Sequence, residues 1–276
     1  MQPPDSQLSL SPSLEKCPPL FRWAGGKRRL LKQILPLLPK KYSHYYEPFC
    51  GGAALFFELR PGNATLGDKN GELINCYQQV KENPEAVITE LQNLKNTKTD
   101  YYEIRKTVPK TPVARAARLI YLMGLSFNGI YRVNSDGKFN VPYGGKSKKK
   151  FDFERIRNVS KALVTTELVS GDFEKTVAEA EKGDLVYFDP PYTVAHGNNG
   201  FIQYNEKILS WEDQEKLAEL AKQLAKRGCK VIVSNADHPS VETLYSSFVM
   251  HRVDRHSGIG ALNESRKRIT EFVFIK

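Results

Sequence analysis

The most constraining stretch of this 276-residue chain is the tetrapeptide Asp189-Pro190-Pro191-Tyr192, which directly follows the apolar run Leu185 to Phe188. Strand-forming residues that stop at a carboxylate and two prolines predict a buried strand and its carboxyl-terminal end, where open α/β sheets bind ligands. The prolines restrict the local backbone, so the Asp carboxylate, the carbonyls and the Tyr ring form a rigid polar cup with an aromatic wall. The alternative is a proline-rich turn with a surface tyrosine.

Composition narrows the class of protein. The chain has 41 Lys plus Arg against 31 Asp plus Glu, and the resulting charge of +10 favours a polyanionic partner. Its four cysteines form no Cys-x-x-Cys pair and no zinc spacing with histidine, which predicts reduced thiols, a cytoplasmic protein and no metal site. No apolar run reaches the ~18 residues of a membrane span. Residues 1–17, rich in Ser, Pro and Leu, predict a disordered leader.

Two glycine-containing turns come early in the chain. The stretch Trp23-Ala-Gly-Gly-Lys27 precedes apolar residues at helical spacing over 30–38, which predicts a glycine turn that opens an amphipathic helix. As a ligand loop it would bring Lys27 to a carboxylate and Trp23 to an aromatic or cationic group. The alternative is a packed tryptophan beside a solvated lysine.

The second turn, Cys50-Gly51-Gly52, follows the strand-like stretch from Tyr45 to Phe49 and precedes helical residues 53–57. A strand, a glycine turn and a helix in that order let the backbone approach a ligand closely, although the dinucleotide fingerprint is absent. Asp68 ends the next short strand and is predicted to accept hydrogen bonds from ribose hydroxyls. A helix cap at 68–70 is the alternative.

A long helical region then interrupts the alternation of strands and helices, which predicts an inserted domain. Its helices are expected near 70–81, 84–95, 100–107 and 113–125. Asp136-Gly137 between two strand-like segments predicts a β-hairpin, followed by the lysine cluster of residues 146–150. Aromatic, Asn, Arg and Lys side chains together suit a nucleic-acid contact surface, in which Arg132 would meet a guanine edge and the lysines phosphates. A solvated basic loop is the alternative.

The strand and helix alternation resumes near residue 166. Strands are predicted over 166–170, 229–235, 248–251 and 269–275, the last two antiparallel, and helices over 174–182, 210–226 and 238–248. Asp172, at the end of the first of these strands, would contact an adenine ring or act as a helix N-cap. Residues 193–204 contain Gly and Asn and predict a mobile loop beside the site. Ser210 and Asp213 have capping-box spacing.

Several motifs, taken together, resemble the Dam-type, D12-class DNA adenine-N6 methyltransferases of the α group. They are Trp-Ala-Gly-Gly-Lys at 23–27, Glu-Pro-Phe-x-Gly-Gly at 47–52, Asp68, Asn-Gly-x-x-Arg-x-Asn and Gly-x-Phe-Asn-Val-Pro-x-Gly at 128–144, and Asp-Pro-Pro-Tyr at 189–192. The resemblance extends from Leu20 to Lys276 and includes the order of the motifs. Cys50 departs from the general Phe-x-Gly-x-Gly form, and Ile130-Tyr131 occupies a position where family members vary.

The resemblance implies a Rossmann-like methyltransferase sheet over 18–69 and 163–276 and a helical plus β-hairpin target-recognition domain over 70–162. It implies S-adenosylmethionine as methyl donor, with cofactor contacts at Trp23, Lys27, Phe49, Gly51, Asp68, Asp172, Phe173 and Asp189. It assigns catalysis to Asp189, Pro190, Pro191 and Tyr192. It assigns DNA contacts to Asn128, Ile130, Tyr131, Arg132, Asn134, Asn140, Pro142, Lys146 and Lys148.

The expected reaction is methyl transfer to the N6 amine of a flipped adenine in duplex DNA, with GATC as the target and a monomer as the acting species. Asp189 and the Pro190 carbonyl would accept from the two N–H bonds of the amine, and Tyr192 would stack on the base. The alternatives are a methyltransferase of the same fold that acts on RNA or protein, and a DNA-binding relative without catalysis. A nicotinamide dehydrogenase is poorly supported because its fingerprint is missing.

Overall fold

The computed structural model of the chain describes residues 17–145, 150–193, 209–256 and 268–276. Seven strands of the described residues form one sheet. The strands are β1 (Tyr45–Glu47), β2 (Ala64–Asp68), β3 (Thr166–Ser170), β4 (Leu185–Phe188), β5 (Lys230–Ala236), β6 (Val249–His256) and β7 (Arg268–Ile275). The leader predicted for 1–17 and the loop predicted for 193–204 lie, except for their residues 17 and 193, outside the described residues.

The strands lie across the sheet in the order β3-β2-β1-β4-β5-β7-β6. The first five pair in parallel, and β7 is antiparallel to both of its neighbours. Since β1 lies between β2 and β4, the strand order reverses there, and such a switch point leaves a crevice at the carboxyl ends of the strands. The order confirms the predicted Rossmann-like sheet and its antiparallel pair.

Helices cover both faces of this sheet. They are α1 (Leu31–Ile34), α2 (Ala54–Leu59), α3 (Gly71–Glu82), α4 (Pro84–Gln92), α5 (Lys98–Lys106), α6 (Pro112–Leu125), α7 (Phe153–Leu163), α8 (Phe173–Thr176), α9 (Trp211–Arg227) and α10 (Pro239–Leu244). The predicted helices of the insertion are confirmed as α3 to α6. The capping box is confirmed too, since Ser210 Oγ accepts from Asp213 N and the Asp213 carboxylate accepts from Ser210 N at the start of α9.

The sheet is buried on both faces, as parallel sheets are. Along β4, Leu185 and Tyr187 belong to one apolar cluster, whereas Val186 and Phe188 belong to a second cluster on the opposite face. Helices α3 to α7 contribute to the first cluster, and α8 to α10 contribute to the second. The helices assigned to the insertion therefore share a core with the sheet, and a domain division at 70–162 stays a prediction.

Three predicted helices are shorter than expected. The helix over 30–38 is only α1 flanked by two short 3-10 turns, because Pro36 lacks the N–H that a continuing helix needs. The helix over 174–182 stops after Thr176. Ala180 N bonds Val177 O in a separate turn, and Glu181 N donates to the Asp184 carboxylate instead of to a helical carbonyl. The helix over 238–248 ends at Leu244, before a turn in which Phe248 N bonds Tyr245 O.

The predicted hairpin forms a hairpin-shaped loop over residues 126–145, which we call the 126–145 loop. Two isolated antiparallel bridges, Ser126 with Tyr143 and Val133 with Phe139, hold it instead of a continuous ladder. The Asn134 side chain accepts from Asp136 N and Lys138 N and so shapes the tip around Asp136-Gly137. Lys146 and Lys148, with the rest of 146–149, lie outside the described residues.

Candidate active site

The tetrapeptide Asp189 to Tyr192 begins directly after β4, as predicted, at the carboxyl-terminal edge of the sheet. The neighbouring strand β1 leads at that edge into the turn Cys50-Gly51-Gly52, which we call the glycine turn, and β2 ends there at Asp68. The three predicted motifs, which are far apart in the sequence, therefore meet at the switch point of the sheet, where ligands of such sheets bind.

A buried ion pair joins the first motif of the chain to this tetrapeptide. Lys27 Nζ lies 2.6 Å from Asp189 Oδ1 and also donates to Gly25 O at 3.1 Å. The same ammonium lies 3.5 Å from Glu271 Oε2, on β7. The Lys27 and Glu271 side chains are 5% and 3% exposed, so the cluster holds its charges out of water. Lys27 is thus paired with two carboxylates of the chain rather than solvated, and its role in a ligand loop stays a prediction.

Tyr192 closes one side of this cluster. Its hydroxyl donates to Glu271 Oε2 at 2.7 Å, and the Lys27 ammonium lies 4.7 Å from the centre of its ring. Burial, and then the Asp189 and Glu271 charges, raise the pKa of Tyr192 well above its usual value. The hydroxyl of Tyr192 therefore stays protonated, because deprotonation would add a further negative charge beside the Asp189 and Glu271 carboxylates. Its bond to Glu271 and the Lys27 ammonium beside the ring hold the side chain in place.

Sequence reasoning missed Glu271. The available signal was a single acidic residue directly before the apolar run from Phe272 to Ile275, because a buried carboxylate on such a strand requires a partner. Glu47, which was only part of a motif, is also buried: Tyr45 donates to its Oε2 at 2.9 Å. Burial raises the pKa of Glu47 to about 8, with a smaller contribution from the Asp189 charge.

The glycine turn and Asp68 are linked directly. Gly51 N donates to Asp68 Oδ2 at 3.0 Å, and Asn70 N donates to Oδ1 at 2.9 Å. The helix cap considered for this stretch is Asn70, whose side chain accepts from the first turn of α3. Asp68 instead holds its carboxylate beside the turn. Burial raises the pKa of Asp68, and the two hydrogen bonds from Asn70 N and Gly51 N offset part of that increase.

Trp23 lies against this turn. A Cβ on Gly51, which has φ of +46°, would lie 2.6 Å from Trp23 Cδ1. A side chain here would therefore meet both backbone strain and the indole.

Phe49 is partly buried, and its ring lies 5.4 Å from that of Phe173. Asp172 is exposed and is the N-cap residue of α8, as that alternative predicted, although its side chain makes no capping hydrogen bond.

A pair of buried amides supports the tetrapeptide from behind. Gln214 of α9 donates to Pro191 O at 3.0 Å, and Asn235 of β5 donates to Gln214 Oε1 at 3.0 Å. Both amides are fully buried. The Pro191 carbonyl thus has a fixed partner, and the loop is held by two elements. The sequence signal for Gln214 was a polar residue on the apolar face of α9, three positions before Leu217.

The 126–145 loop presents most of the predicted DNA contacts at the surface. Asn128 (φ 54°), Arg132, Asn134 and Pro142 are exposed, and Ile130 and Asn140 are partly buried. Arg132 Nε donates to Asn140 Oδ1 at 2.8 Å, which fixes the orientation of the guanidinium. Phe127, which sequence reasoning did not select, is 54% exposed beside them. Tyr131 differs from its neighbours: its ring stacks on Trp23, with centres 5.3 Å apart.

A profile of the D12 class of N6 adenine-specific DNA methyltransferases matches residues 23–259. The chain belongs to this family. A type II methyltransferase of Lactococcus lactis subsp. cremoris is 45% identical to it over 92% of the chain and 94% of the relative. A type II methyltransferase of Methanocaldococcus jannaschii is 35% identical over 90% and 95%, and a DNA adenine methylase of Haemophilus influenzae is 31% identical over 97% and 96%.

The described geometry fits an adenine-specific DNA methyltransferase with a Rossmann-like sheet. None of the described helices of this methyltransferase is long and apolar enough to cross a membrane. Among the same residues, no cluster of three or more His, Cys, Asp or Glu side chains could bind a metal ion. The four cysteines are buried and free.

Proposed function

We propose that the enzyme methylates the N6 amine of an adenine flipped out of duplex DNA, with S-adenosylmethionine as donor and GATC as the target. The observation that carries this proposal is the buried ion pair of Lys27 and Asp189, 2.6 Å apart, which joins the motif at 23–27 to the end of β4. The pair lies at the carboxyl-terminal edge of the sheet, and the 126–145 loop, with its exposed Arg and Asn side chains, contacts the first motif through the stack of Tyr131 on Trp23. We further propose a monomer with a target-recognition domain over 70–162.

The glycine turn supports the choice of cofactor. Gly51 and Gly52 leave backbone without side chains beside Trp23, and Asp68 holds an acceptor at the end of β2. An acidic residue in this position suits ribose hydroxyls. When bound, S-adenosylmethionine supplies a methyl group activated by a sulfonium. The residues proposed to hold it are Trp23, Lys27, Phe49, Gly51, Asp68, Asp172, Phe173 and Asp189.

Asp189 to Tyr192 would orient the substrate amine. The N6 lone pair of adenine is conjugated with the ring, so two acceptors are needed to fix the N–H bonds and direct the lone pair. Asp189 and the Pro190 carbonyl are the proposed acceptors, and Gln214 holds the adjoining Pro191 carbonyl in place. Rate would then come mainly from alignment and from acceptors that are already fixed.

Base flipping costs a few kcal/mol, and stacking on an aromatic ring returns about 1–3 kcal/mol. Tyr192 is proposed to provide that ring, and its tether to Glu271 means that little ring motion is lost on binding. Arg132, oriented by Asn140, is proposed to contact a guanine edge. Asn128, Ile130, Asn134 and Pro142 would lie at neighbouring bases, and Lys146 and Lys148 at phosphates.

Transfer of labelled methyl groups from S-adenosylmethionine tests the proposal. The purified chain is expected to label a duplex that contains GATC, to leave a duplex of the same composition without GATC unlabelled, and to protect GATC from a methylation-sensitive nuclease. Asp189→Ala is expected to bind DNA with wild-type affinity and to lose transfer. Labelling of RNA or protein in preference to the duplex, or near-normal turnover by Asp189→Ala, would contradict the proposal.

A further inference from the structure

One aromatic stack joins the 126–145 loop to the turn that carries Trp23. The rings of Trp23 and Tyr131 lie with centres 5.3 Å apart and planes inclined by only 19°. Tyr131 stands between Ile130 and Arg132, two of the proposed DNA contacts, yet its own ring turns toward the protein. Tyr131 therefore joins this part of the loop to the motif at 23–27.

The stack is fixed on both sides. Trp23 lies against the glycine turn so closely that a Cβ on Gly51 would be 2.6 Å from its Cδ1. On the other side, the rings of Phe139 and Tyr131 pack edge to face, with centres 5.8 Å apart. The Arg22 side chain supports the same loop at Gly129, where an added Cβ would lie 3.7 Å from Arg22 Cβ. A shift of Tyr131 must therefore move Trp23 or break the stack.

We propose that Tyr131 is a positioning residue that couples DNA binding to cofactor binding through Trp23. The proposal rests on the function proposed above, because it takes Trp23 as part of the cofactor site and Arg132 as a DNA contact. When bases engage Ile130 and Arg132, the backbone of Tyr131 is fixed between them, and its ring fixes the indole beside the glycine turn. Thermodynamic linkage then requires each ligand to tighten the other by the same factor.

The coupling is measured with two ligands that do not react. The dissociation constant of S-adenosylhomocysteine is determined calorimetrically for the full chain, with and without a saturating GATC duplex. We expect the duplex to lower it at least about fivefold, the lower end of ordinary coupling. The coupling factor is the ratio of the dissociation constants of S-adenosylhomocysteine without and with the duplex. Tyr131→Phe keeps the ring and is expected to keep this factor, whereas Tyr131→Leu is expected to bring the factor within about twofold of one.

Phe127→Leu is the matched control, since it removes an exposed aromatic of the same loop that has no ring contact with Trp23 among the described residues. Its coupling factor is expected to equal that of the wild type even where its affinity for DNA falls. Loss of coupling in Phe127→Leu, or its retention in folded Tyr131→Leu, overturns the proposal. Melting temperatures identify any variant that fails to fold. If Tyr131→Leu does not fold, Trp23→Phe takes its place as the variant expected to lose coupling, and Tyr131→Phe remains the variant expected to keep it.

Fluorescence gives a second readout without turnover. The chain has two tryptophans, so Trp211→Phe leaves Trp23 as the sole tryptophan, and excitation is selective for tryptophan over tyrosine. Its emission is expected to change when the duplex is added, and to stay unchanged when Tyr131→Leu is combined with Trp211→Phe. If the wild type binds neither S-adenosylhomocysteine nor DNA, the proposed function fails. If it binds both ligands independently, only the coupling fails.

Discussion

Lys27 Nζ and Asp189 Oδ1 lie 2.6 Å apart in a site largely closed to solvent, since the exposed fractions of the two side chains are 5% and 16%. The pair connects the first motif of the chain to the end of β4. Because Glu271 adds a second carboxylate 3.5 Å from the same ammonium, Lys27 is the group that keeps two buried negative charges together.

Lys27→Met is therefore expected to destabilise the fold by about 3–5 kcal/mol, the usual cost of removing one partner of a buried ion pair. The measurement is the free energy of unfolding in urea. Lys216→Met is the control, since its pair with Glu212 is exposed and such pairs contribute little to stability. A loss below about 1 kcal/mol in Lys27→Met would show that the carboxylates do not depend on the ammonium.

Glu47 predicts a pH dependence of stability. Its pKa is raised from 4.5 to about 8 in the folded protein, so folding takes up a proton between these values. The contribution of Glu47 is complete below 4.5 and is lost as pH rises through about 8. Glu47→Gln, which keeps an acceptor for Tyr45, is expected to gain stability relative to the wild type across that window, by at most about 1.4 kcal/mol per pH unit.

Unfolding free energies of both proteins at intervals from pH 5 to pH 9 check this prediction, and the difference is expected to level off at the upper end of the range. A constant difference between the two proteins at every pH would mean that Glu47 is ionised in the fold.

Gly51→Ala is expected to destabilise the chain by at least about 1 kcal/mol and to shift tryptophan emission, because φ of +46° disfavours alanine and the new Cβ meets Trp23. Gly62→Ala is the matched control, since a Cβ added at Gly62 would have no other atom within 4 Å and the φ of this residue lies outside the left-handed region. Thermal unfolding and emission spectra compare the two. Equal stability of both variants would show that Trp23 accommodates the methyl group.

Arg132→Ala is expected to relax discrimination at one guanine of the target, at a cost of about 1–3 kcal/mol, because a forked contact to a base edge is lost. Asn140→Ala frees the guanidinium from its 2.8 Å bond and is expected to produce a smaller effect at the same base. Competition binding against single-base substitutions measures both. Weakening of equal size on every sequence would identify Arg132 as a phosphate contact.

Gln214→Leu leaves the Pro191 carbonyl and the Asn235 amide without this partner and is expected to cost about 1–3 kcal/mol of stability. It is also expected to lower kcat more than it raises KM for DNA, because the tetrapeptide loses its support. Gln223→Leu, on the exposed face of the same helix, is the control. Unchanged kcat in Gln214→Leu would limit the amide to a structural role.

The sequence predicted the elements whose signals are local. The end of β4, the glycine turn at 50–52 and the helices of the insertion each follow from a few consecutive residues. The turn before Lys27 likewise indicated a carboxylate partner, without indicating which carboxylate. Two helices were predicted to be longer than they are. Pro36 lacks the N–H that would continue the first, and in the second Glu181 N donates to the Asp184 carboxylate instead of to a helical carbonyl.

Contacts between distant residues could not be predicted in the same way. Tyr192 and Glu271 are 79 positions apart, and Gln214 is 23 positions from Pro191. Their contacts depend on the register of β7 and on the packing of α9, which no local pattern specifies. The stack of Tyr131 on Trp23 likewise arises only when the 126–145 loop folds back on the first turn.

The position of β7 has a consequence for how the enzyme is made. It follows β6 along the chain but lies between β5 and β6 in the sheet. During synthesis, β6 therefore has no strand to pair with, and β5 keeps an open edge, until β7 emerges and inserts. Since β7 also carries Glu271, the insertion that closes this aggregation-prone edge is the same event that completes the charged cluster around Lys27.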